Sequence, residues 1–286
     1  MSDAELAKLK DFVHSTATEL GRWARERSEA NYLGEALVEV NSKSGPGDFV
    51  TSIDLAVQER LEAALRAETP DFGLLGEESD LADFDDSQPV WIIDPIDGTH
   101  NFVRNYPGFC VSVGLVHEGK SVLGVIFDSA TDSTYWAHRG GGAWQTTWGS
   151  AGQPGERKDR RLYVSGRDEL RTAMITTGFT RESAALETHL RVFEGLNVSA
   201  AGCRVSGSAC RDLSFVAAGK VDLYWQWAVR PWDVAAGIVI VEEAGGVVNL
   251  EFDGPSLARS GPLNVMAGTP LVHEEAWLLR AELIGS

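Results

Sequence analysis

Cysteine and histidine are scarce in this 286-residue sequence, and neither is arranged to hold a metal ion. The three cysteines, Cys110, Cys203 and Cys210, form no C-x-x-C pair, which argues against a disulfide scaffold and against a thiolate zinc site. The six histidines are scattered without ligand spacing, so zinc chemistry is not expected. An odd number of cysteines is typical of a reducing compartment, in which thiols stay free.

Long apolar runs are also lacking. The longest, residues 234–241, is far shorter than the roughly 20 residues that cross a bilayer. The chain is charged from Asp3 onward, so its first residues do not resemble the apolar stretch of a signal peptide. We therefore expect a cytoplasmic protein that does not act at a membrane.

Basic residues are few: the chain has 25 Lys and Arg against 42 Asp and Glu, which gives a formal net charge of -17. A charge of this sign repels nucleic-acid backbones and anionic lipids, so neither is an expected partner. A small phosphorylated metabolite remains a compatible partner, because a bound metal ion inverts the local potential.

A polar, glycine-rich stretch at residues 146–160 is the best boundary between two halves of the chain. Before it, helical spacing at residues 4–38 and 51–67 precedes alternating strand patterns, which is typical of an α+β half with an antiparallel sheet. After it, strands and helices alternate, which is typical of an α/β half. We expect the two halves to be residues 1–148 and 149–286.

Five strands and four helices are predicted after this boundary. The predicted strands are residues 162–165, 174–177, 204–205, 222–225 and 246–250. The predicted helices are residues 167–171, 183–195, 209–218 and 234–244.

The string D-P-I-D-G-T-x-N-F at residues 94–102 is the strongest chemical signal in the sequence. Asp94 and Asp97 follow a short apolar strand and are separated by a bend that Pro95 stiffens. Two carboxylates this close repel each other and are stable together mainly when a cation lies between them. Oxygen ligands of this kind favour Mg²⁺. A lone D-x-x-D would instead suggest an acidic turn in which Asp97 caps a helix, but the whole string favours a metal site.

Three further acidic groups occur along the chain. Asp48 and Asp54 surround a predicted helix start, and Glu77 ends a short strand. Asp233 lies at the entry to a buried helix, where an aspartate is also a good N-cap. Taken alone, Glu77 would be a surface acid and Asp233 a cap.

Together these motifs resemble the inositol monophosphatase superfamily of Mg²⁺-dependent, lithium-sensitive phosphatases. The resemblance covers about residues 43–246. It rests on Lys43…Asp48-x-Val50-Thr51-x-x-Asp54, Gly76-Glu77-Glu78-Ser79, the D-P-I-D-G-T-x-N-F string, Gly207-Ser208-Ala209 and Trp232-Asp233-x-Ala235-Ala236-Gly237. It implies a layered αβαβα sandwich with a metal site between the two halves, and a homodimer.

The resemblance also implies the metal ligands. Glu77, Asp94 and the Ile96 carbonyl would hold a first Mg²⁺, and Asp94, Asp97 and Asp233 a second. A third, weaker ion would share Glu77, so that two to three Mg²⁺ ions serve one site. These ions would neutralise a phosphate monoester, lower the pKa of a bound water and stabilise the leaving alkoxide.

The remaining implied roles concern phosphate, water and substrate. Gly98 and Thr99 look like the phosphate site, where backbone N–H groups at a helix start would face the anion. Thr99 and Asp54, with Glu77, resemble the group that orients and deprotonates the attacking water. The implied substrate pocket also contains Gly207, Ser208, Ala209, Arg211 and Gln226.

The substrate end departs from the inositol pattern at two positions. Gln226 lies seven residues before Asp233, where inositol phosphatases usually carry a glutamate that binds sugar hydroxyls. Arg211 replaces a small or aliphatic residue, and is either a surface arginine or a second anion-binding group. The Trp-Asp form of the last motif is unlike the histidinol-phosphate branch, which tends to have Tyr-Asp.

We therefore expect a phosphomonoesterase that acts on a small polyol or sugar phosphate, with inositol 1-phosphate favoured. Fructose 1,6-bisphosphate, histidinol phosphate and 3′-phosphoadenosine 5′-phosphate are alternative substrates on the same fold. A regulatory or RNA-polymerase-binding protein that merely keeps the fold is the alternative from another class. The intact set of acids argues against it, because clustered carboxylates without a metal are a cost.

Overall fold

A computed structural model describes residues 1–42, 49–79, 85, 87–148, 156–179 and 183–285. Lys43 and Asp48 of the first motif lie outside these residues, as do residues 80–84 and 86.

The first part of the chain builds a two-stranded hairpin and a seven-stranded sheet. Its helices and strands are α1 (Asp3–Tyr32), β1 (Val40–Ser42), β2 (Phe49–Thr51), α2 (Ser52–Glu68), β3 (Gly73–Gly76), β4 (Val90–Asp97), α3 (Thr99–Val103), β5 (Cys110–His117), β6 (Lys120–Asp128), β7 (Ser133–His138), β8 (Gly142–Trp148) and β9 (Arg157–Arg161). The larger sheet has the order β3-β4-β5-β6-β7-β8-β9. Only β3 and β4 pair in parallel; every other described pair in it is antiparallel.

The second part builds a five-stranded sheet. Its elements are β10 (Met174–Thr177), α4 (Ser183–Ser199), β11 (Gly202–Arg204), α5 (Ala209–Ala217), β12 (Leu223–Val229), α6 (Pro231–Glu243), β13 (Val247–Glu251), β14 (Leu263–Gly268) and α7 (Pro270–Ile284). The order is β11-β10-β12-β14-β13. β10 is parallel to both β11 and β12, whereas β14 is antiparallel to β12 and β13.

Three hydrophobic cores stack these elements into five layers. One core joins α1 and α2 to the larger sheet, and a second joins that sheet to α5, α6 and the smaller sheet. The third joins the smaller sheet to α4 and α7. The layer order is therefore α, β, α, β, α, and the predicted sandwich is confirmed.

β4 shows why its sequence is a continuous apolar run. Trp91 and Ile93 pack into the core with α1 and α2, while Ile92 between them packs into the core with α5 and α6. Because successive side chains point to opposite faces, a strand covered on both faces needs apolar residues throughout. The opposing helix α6 approaches closely: a Cβ built on Gly124 of β6 would lie 2.2 Å from the Ala236 carbonyl oxygen.

Two sequence predictions in the second half were wrong. Residues 162–165 form no strand, although Leu162 still donates its N–H to the Ala143 carbonyl at 2.8 Å. The predicted helix at 167–171 is a short 3₁₀ turn, Leu170–Thr172. The division at residue 148 stays a prediction, although β9 follows that residue and pairs with β8 in the larger sheet. Within the described ranges, no helix is both long and apolar enough to cross a membrane.

Candidate active site

The end of β4 carries two aspartates of the central motif into the interior. Asp94 and Asp97 are 1% and 8% exposed, and the pairing of β4 with β5 is interrupted between them. An Asp94 oxygen accepts the N–H of Ile96 at 3.0 Å, which closes the bend around Pro95. Both carboxylates are therefore fixed by the strand end and not by flexible loops.

Asp233 reaches the same place from the start of α6. Pro231 opens this helix, and one Asp233 oxygen accepts the N–H of Arg230 at 2.7 Å. Asp233 therefore caps its helix from the third helical position, not from the N-cap position itself. It also joins the two aspartates of β4: one ligand oxygen from each of Asp94, Asp97 and Asp233 lies within 4.8 Å of the others.

This cluster is electrostatically strained without a cation. Burial raises the pKa of Asp94 well above its usual range, and the carboxyl groups of Glu77, Asp97 and Asp233 raise it further. Burial raises the pKa of Asp97 to about 6, although hydrogen bonds from Ser208 and Cys210 oppose the shift. Burial also raises the pKa of Asp233, followed by the charge of Asp97. A set of oxygen ligands with repelling charges fits a hard divalent cation such as Mg²⁺.

Glu77 follows β3, the parallel neighbour of β4. Its N–H donates to the Ile93 carbonyl at 3.2 Å, and its carboxyl group is one cause of the raised Asp94 pKa. The adjacent Glu78 is held elsewhere, because its N–H donates to the Gln58 side chain at 2.9 Å. The adjacent acids Glu77 and Glu78 are thus separated by the turn, and Glu77 lies beside the aspartates.

Gly98 and Thr99 follow the two aspartates of β4, and Thr99 contacts α2. Gly98 has φ +94, and a Cβ there would lie 3.1 Å from the Gly207 carbonyl oxygen, so two properties favour glycine. The Thr99 hydroxyl lies 3.3 Å from an Asp54 oxygen and 3.2 Å from the Ile96 carbonyl oxygen. α3, which begins at Thr99, has only five residues.

Asp54 is fully buried and uses its two oxygens differently. One accepts the backbone N–H of Thr51 at 3.0 Å and also contacts the Thr51 hydroxyl, which caps α2. The other faces Thr99. The structural role in the helix cap therefore leaves one oxygen directed toward the cluster.

The Gly207-Ser208-Ala209 segment supports Asp97 from the start of α5. The Ser208 hydroxyl and the Cys210 N–H donate to the same Asp97 oxygen at 2.6 Å and 2.7 Å. Ser208 is also the N-cap of α5 and accepts the Arg211 N–H at 3.3 Å. Sequence reasoning missed these contacts to Asp97, which join residues more than 100 positions apart.

Gln226 and Arg211, the two residues at which the sequence departs from the inositol pattern, lie in different surroundings. Gln226 of β12 is partly exposed, and its Oε1 accepts the hydroxyl of the fully buried Tyr224 at 3.0 Å. Burial raises the pKa of Tyr224, and the charges of Asp212, Asp233 and Asp97 add to this. Tyr224 was missed, although its spacing of two from Gln226 places both on one face of the strand.

Arg211 is not the surface arginine that one interpretation proposed. Its side chain is 16% exposed, its Nε lies 3.5 Å from a carboxylate oxygen of the buried Asp128, and its Nη1 donates to the Pro107 carbonyl at 3.2 Å. The guanidinium group also crosses Gly108, where a Cβ would lie 2.3 Å from it. Arg211 thus joins α5 to the end of β6, and an intramolecular carboxylate already balances its charge.

Comparison with known proteins identifies relatives over most of the chain. The family model described as the inositol monophosphatase family matches residues 6–284. An inositol-1-monophosphatase from Mesorhizobium japonicum is 37% identical over 249 residues, which cover 86% of this chain and 88% of that protein. A protein named Nus factor SuhB, from Xylella fastidiosa, is 36% identical over 219 residues, covering 75% and 74%.

Solved structures agree with the sequence relatives. The crystal structure of the extragenic suppressor protein suhB from Bartonella henselae superposes with a TM-score of 0.81 at 32% identity. The match covers 96% of this chain and 98% of the other.

Proposed function

The chain belongs to the inositol monophosphatase family and is a phosphatase; from this premise we propose that it hydrolyses the monoester of a small polyol or sugar phosphate, inositol 1-phosphate in preference. The observation that carries the proposal is the convergence of Asp94, Asp97 and Asp233 within 4.8 Å of one another. A phosphate dianion repels nucleophiles, and cations bound beside it would neutralise its charge and so reduce that repulsion.

Members of this family are in general Mg²⁺-dependent, and the oxygen-only donor set suits that ion. We assign Glu77, Asp94 and the Ile96 carbonyl to a first Mg²⁺, and Asp94, Asp97 and Asp233 to a second; a third would share Glu77. The chemistry that these ions supply when bound is neutralisation of the phosphate, acidification of a water and stabilisation of the leaving alkoxide.

The chain's own residues would orient the attacking water. The Thr99 hydroxyl has acceptors at 3.3 Å in Asp54 and at 3.2 Å in the Ile96 carbonyl. It can donate to Asp54 while its lone pair accepts a proton of the water. Asp54 is positioned for this by Thr51, which fixes its other oxygen. We assign the abstraction of the water proton to this pair together with Glu77.

Substrate recognition is assigned to the residues around this centre. The Gly98 and Thr99 backbone would face the phosphate, with Ser208 and its neighbours Gly207 and Ala209 closing the site across from them; a Cβ on Gly98 would already touch Gly207. Gln226 would contact substrate hydroxyls. Arg211 is assigned to the pocket wall, because Asp128 and the Pro107 carbonyl hold its guanidinium group.

A regulatory role of the Nus-factor type is a second candidate, favoured by the relatives named Nus factor SuhB. It is compatible with catalysis, because the acidic cluster is intact. Gel filtration of the chain with core RNA polymerase tests it: co-elution that persists in an Asp94→Asn variant would assign that role to a surface separate from the phosphatase site.

Phosphate release from a substrate panel tests the main proposal. The panel contains inositol 1-phosphate, fructose 1,6-bisphosphate, histidinol phosphate and 3′-phosphoadenosine 5′-phosphate, each with Mg²⁺, with EDTA and with Li⁺. We expect turnover of inositol 1-phosphate that requires Mg²⁺ and falls with Li⁺. Turnover that survives EDTA contradicts the metal assignment, and preference for another substrate contradicts the substrate assignment. A homodimer and a cytoplasmic location are further expectations, carried by the family resemblance and by the composition.

A further inference from the structure

β9 is the outermost strand of the larger sheet, and no described strand pairs with its second edge. In the described strand order it pairs with β8 alone, and all five of its side chains are exposed. Just after it, Leu162 donates its N–H toward β8. In an antiparallel pair, the N–H and C=O of one residue point to the same side of the strand, and those of the next residue point to the opposite side. The even-numbered residues therefore bond β8, and the backbone groups of Arg157, Asp159 and Arg161 face outward.

This edge is strongly basic in an acidic chain. Its sequence is Arg-Lys-Asp-Arg-Arg, four cations in five residues, although acids outnumber bases by 42 to 25 overall. The single acid, Asp159, is already paired with Arg157 at 3.0 Å. Among the described residues, no carboxylate lies within ion-pairing distance of Lys158, Arg160 or Arg161. Three positive charges on the edge therefore have no counter-ion among the described residues: Arg160 donates to the neutral Gln145 side chain at 3.0 Å, and Arg161 lies over the Trp144 ring.

Protection from aggregation explains only part of this pattern. Charged residues on an edge strand prevent edge-to-edge pairing, but either sign of charge would do so. Acidic residues are the common choice elsewhere in this chain, yet the edge is cationic. A second copy presenting the same edge would be repelled, so the occupant that fits carries negative charge.

We propose that β9 is a docking edge for an extended acidic peptide segment of a partner protein, which adds to the larger sheet as a further strand. The outward backbone groups of Arg157, Asp159 and Arg161 would supply the hydrogen bonds, and cations on both faces of the pleat would pair with its acids. A five-residue strand spans about 17 Å, which suits a short peptide. A nucleic acid would extend beyond the patch onto a chain of net charge -17 and be repelled.

This role is separate from the proposed phosphatase site. β4, which carries Asp94 and Asp97, is five strands away from β9 in the sheet order, or roughly 24 Å at the usual strand spacing. Changes at β9 should therefore leave phosphate release unchanged, so the activity assay serves as a check that each variant is folded.

Fluorescence anisotropy with a labelled eight-residue peptide of glutamate, threonine and valine tests the proposal. We expect binding that weakens at least tenfold when NaCl rises from 50 to 500 mM. The same peptide with lysine in place of glutamate should not bind. A peptide with proline at its centre keeps the charge but loses a backbone donor, and should bind at least tenfold more weakly.

Matched variants of the protein separate charge from strand addition. The double variant Lys158→Glu/Arg160→Glu should lose at least tenfold in peptide affinity. Arg161→Ala and Arg161→Pro remove the same charge, but only proline removes an outward-facing N–H. Arg161→Pro should therefore bind the peptide several-fold more weakly than Arg161→Ala, with equal phosphate release.

Four results would overturn the proposal. They are no binding of the acidic peptide, binding that the double charge reversal leaves unchanged, equal affinities of Arg161→Ala and Arg161→Pro, and tighter binding of a labelled oligothymidylate than of the peptide. Equal affinities of the two Arg161 variants would mean that the peptide binds by charge alone and adds no strand. Tighter binding of oligothymidylate would assign the edge to nucleic acid.

Discussion

Two parts of the candidate site differ in how they are held: the proposed metal ligands (the metal end) and the proposed substrate contact (the substrate end). At the metal end each of three carboxylates accepts a backbone N–H, whereas at the substrate end one partly exposed amide is held by one tyrosine hydroxyl. The metal end comprises Asp94, Asp97 and Asp233, bonded to the N–H groups of residues 96, 210 and 230. The substrate end is Gln226 with Tyr224. Backbone donors are unaffected by side-chain substitution, so we expect the scaffold of the metal end to tolerate substitution of its donor residues better than the contact between Tyr224 and Gln226 does.

This contrast has a physical reason. Holding like charges together requires a rigid scaffold, because the repulsion must be opposed in every state of the cycle. Recognition of a substrate needs only hydrogen bonds worth about 1 kcal/mol each, which single substitutions can add or remove. We therefore expect mutations at the metal end to abolish activity and mutations at the substrate end to redirect it.

The largest expected effect follows from breaking the metal end at Asp94. Asp94→Asn should lower kcat at least about 1000-fold, equivalent to ~4 kcal/mol, because it removes the carboxylate assigned to both ions. The metal-free variant should melt at a higher temperature than the wild type, since one of the four repelling carboxyl groups is gone. Steady-state kinetics at saturating Mg²⁺ and thermal unfolding in EDTA measure the two effects.

Asp71→Asn is the matched control for this variant. Asp71 is an exposed acid on the turn before β3, and its substitution should leave both quantities unchanged. A tenth or more of the wild-type kcat in Asp94→Asn would show that Asp94 does not serve both ions.

The next effect concerns stability and involves the layer behind the substrate end. His189 of α4 is fully buried against Trp225 of β12, and burial lowers its pKa to about 4. Its folded pKa is below the unfolded value, so the unfolded state binds more protons, and stability is lost as pH falls from about 6.5 towards 4. The loss is up to about 3 kcal/mol.

Urea unfolding between pH 4 and 7 measures this loss. His189→Phe should remove its part of the slope. The remainder belongs to the other groups with shifted pKa values: burial lowers the pKa of His14 and His273, and raises that of Asp97 to about 6 and that of Asp212 to about 7. An unchanged slope in His189→Phe would mean that His189 is not the group that titrates.

A smaller effect is expected at Thr99, whose hydroxyl lies beside Asp54 and the Ile96 carbonyl. Thr99→Ala should lower kcat by about 30-fold, or ~2 kcal/mol, with little change in KM, because the hydroxyl is assigned to the attacking water. Thr99→Ser, which keeps the hydroxyl, should recover most of the rate. A change confined to KM would move Thr99 from catalysis to substrate binding.

The features of the site that could be predicted from the sequence are those that depend on neighbouring residues in the chain. The convergence of Asp94 and Asp97 is local, because one strand end and one proline place both carboxylates. Most helices and strands also follow from local periodicity, whereas the layered fold was implied by the family resemblance. In contrast, the support of Asp97 by Ser208 and Cys210, the pairing of Arg211 with Asp128 and the contact of Tyr224 with Gln226 depend on tertiary packing.

Long-range contacts also explain the errors in secondary structure. Residues 162–165 alternate like a strand, but only Leu162 continues the pairing with β8 before the chain leaves the sheet edge. Val164 donates its N–H to the Ala244 carbonyl after α6 instead, at 3.0 Å. The alternation reflects burial in an irregular segment, and periodicity alone does not separate that from a strand.

The smallest expected effect sharpens the comparison at the substrate end. Tyr224 donates to the Gln226 oxygen, so the amide NH₂ is the group with which Gln226 could donate to a substrate. Gln226→Glu would replace that donor with a charged acceptor for substrate hydroxyls, and Tyr224 would still hold its other oxygen. The gain for inositol 1-phosphate should be about 1–2 kcal/mol, or on the order of tenfold in kcat/KM. Fructose 1,6-bisphosphate should lose, because the new carboxylate repels a second phosphate. The ratio of the two kcat/KM values is the measurement, and a change of less than about twofold, ~0.4 kcal/mol, would place Gln226 outside the substrate pocket.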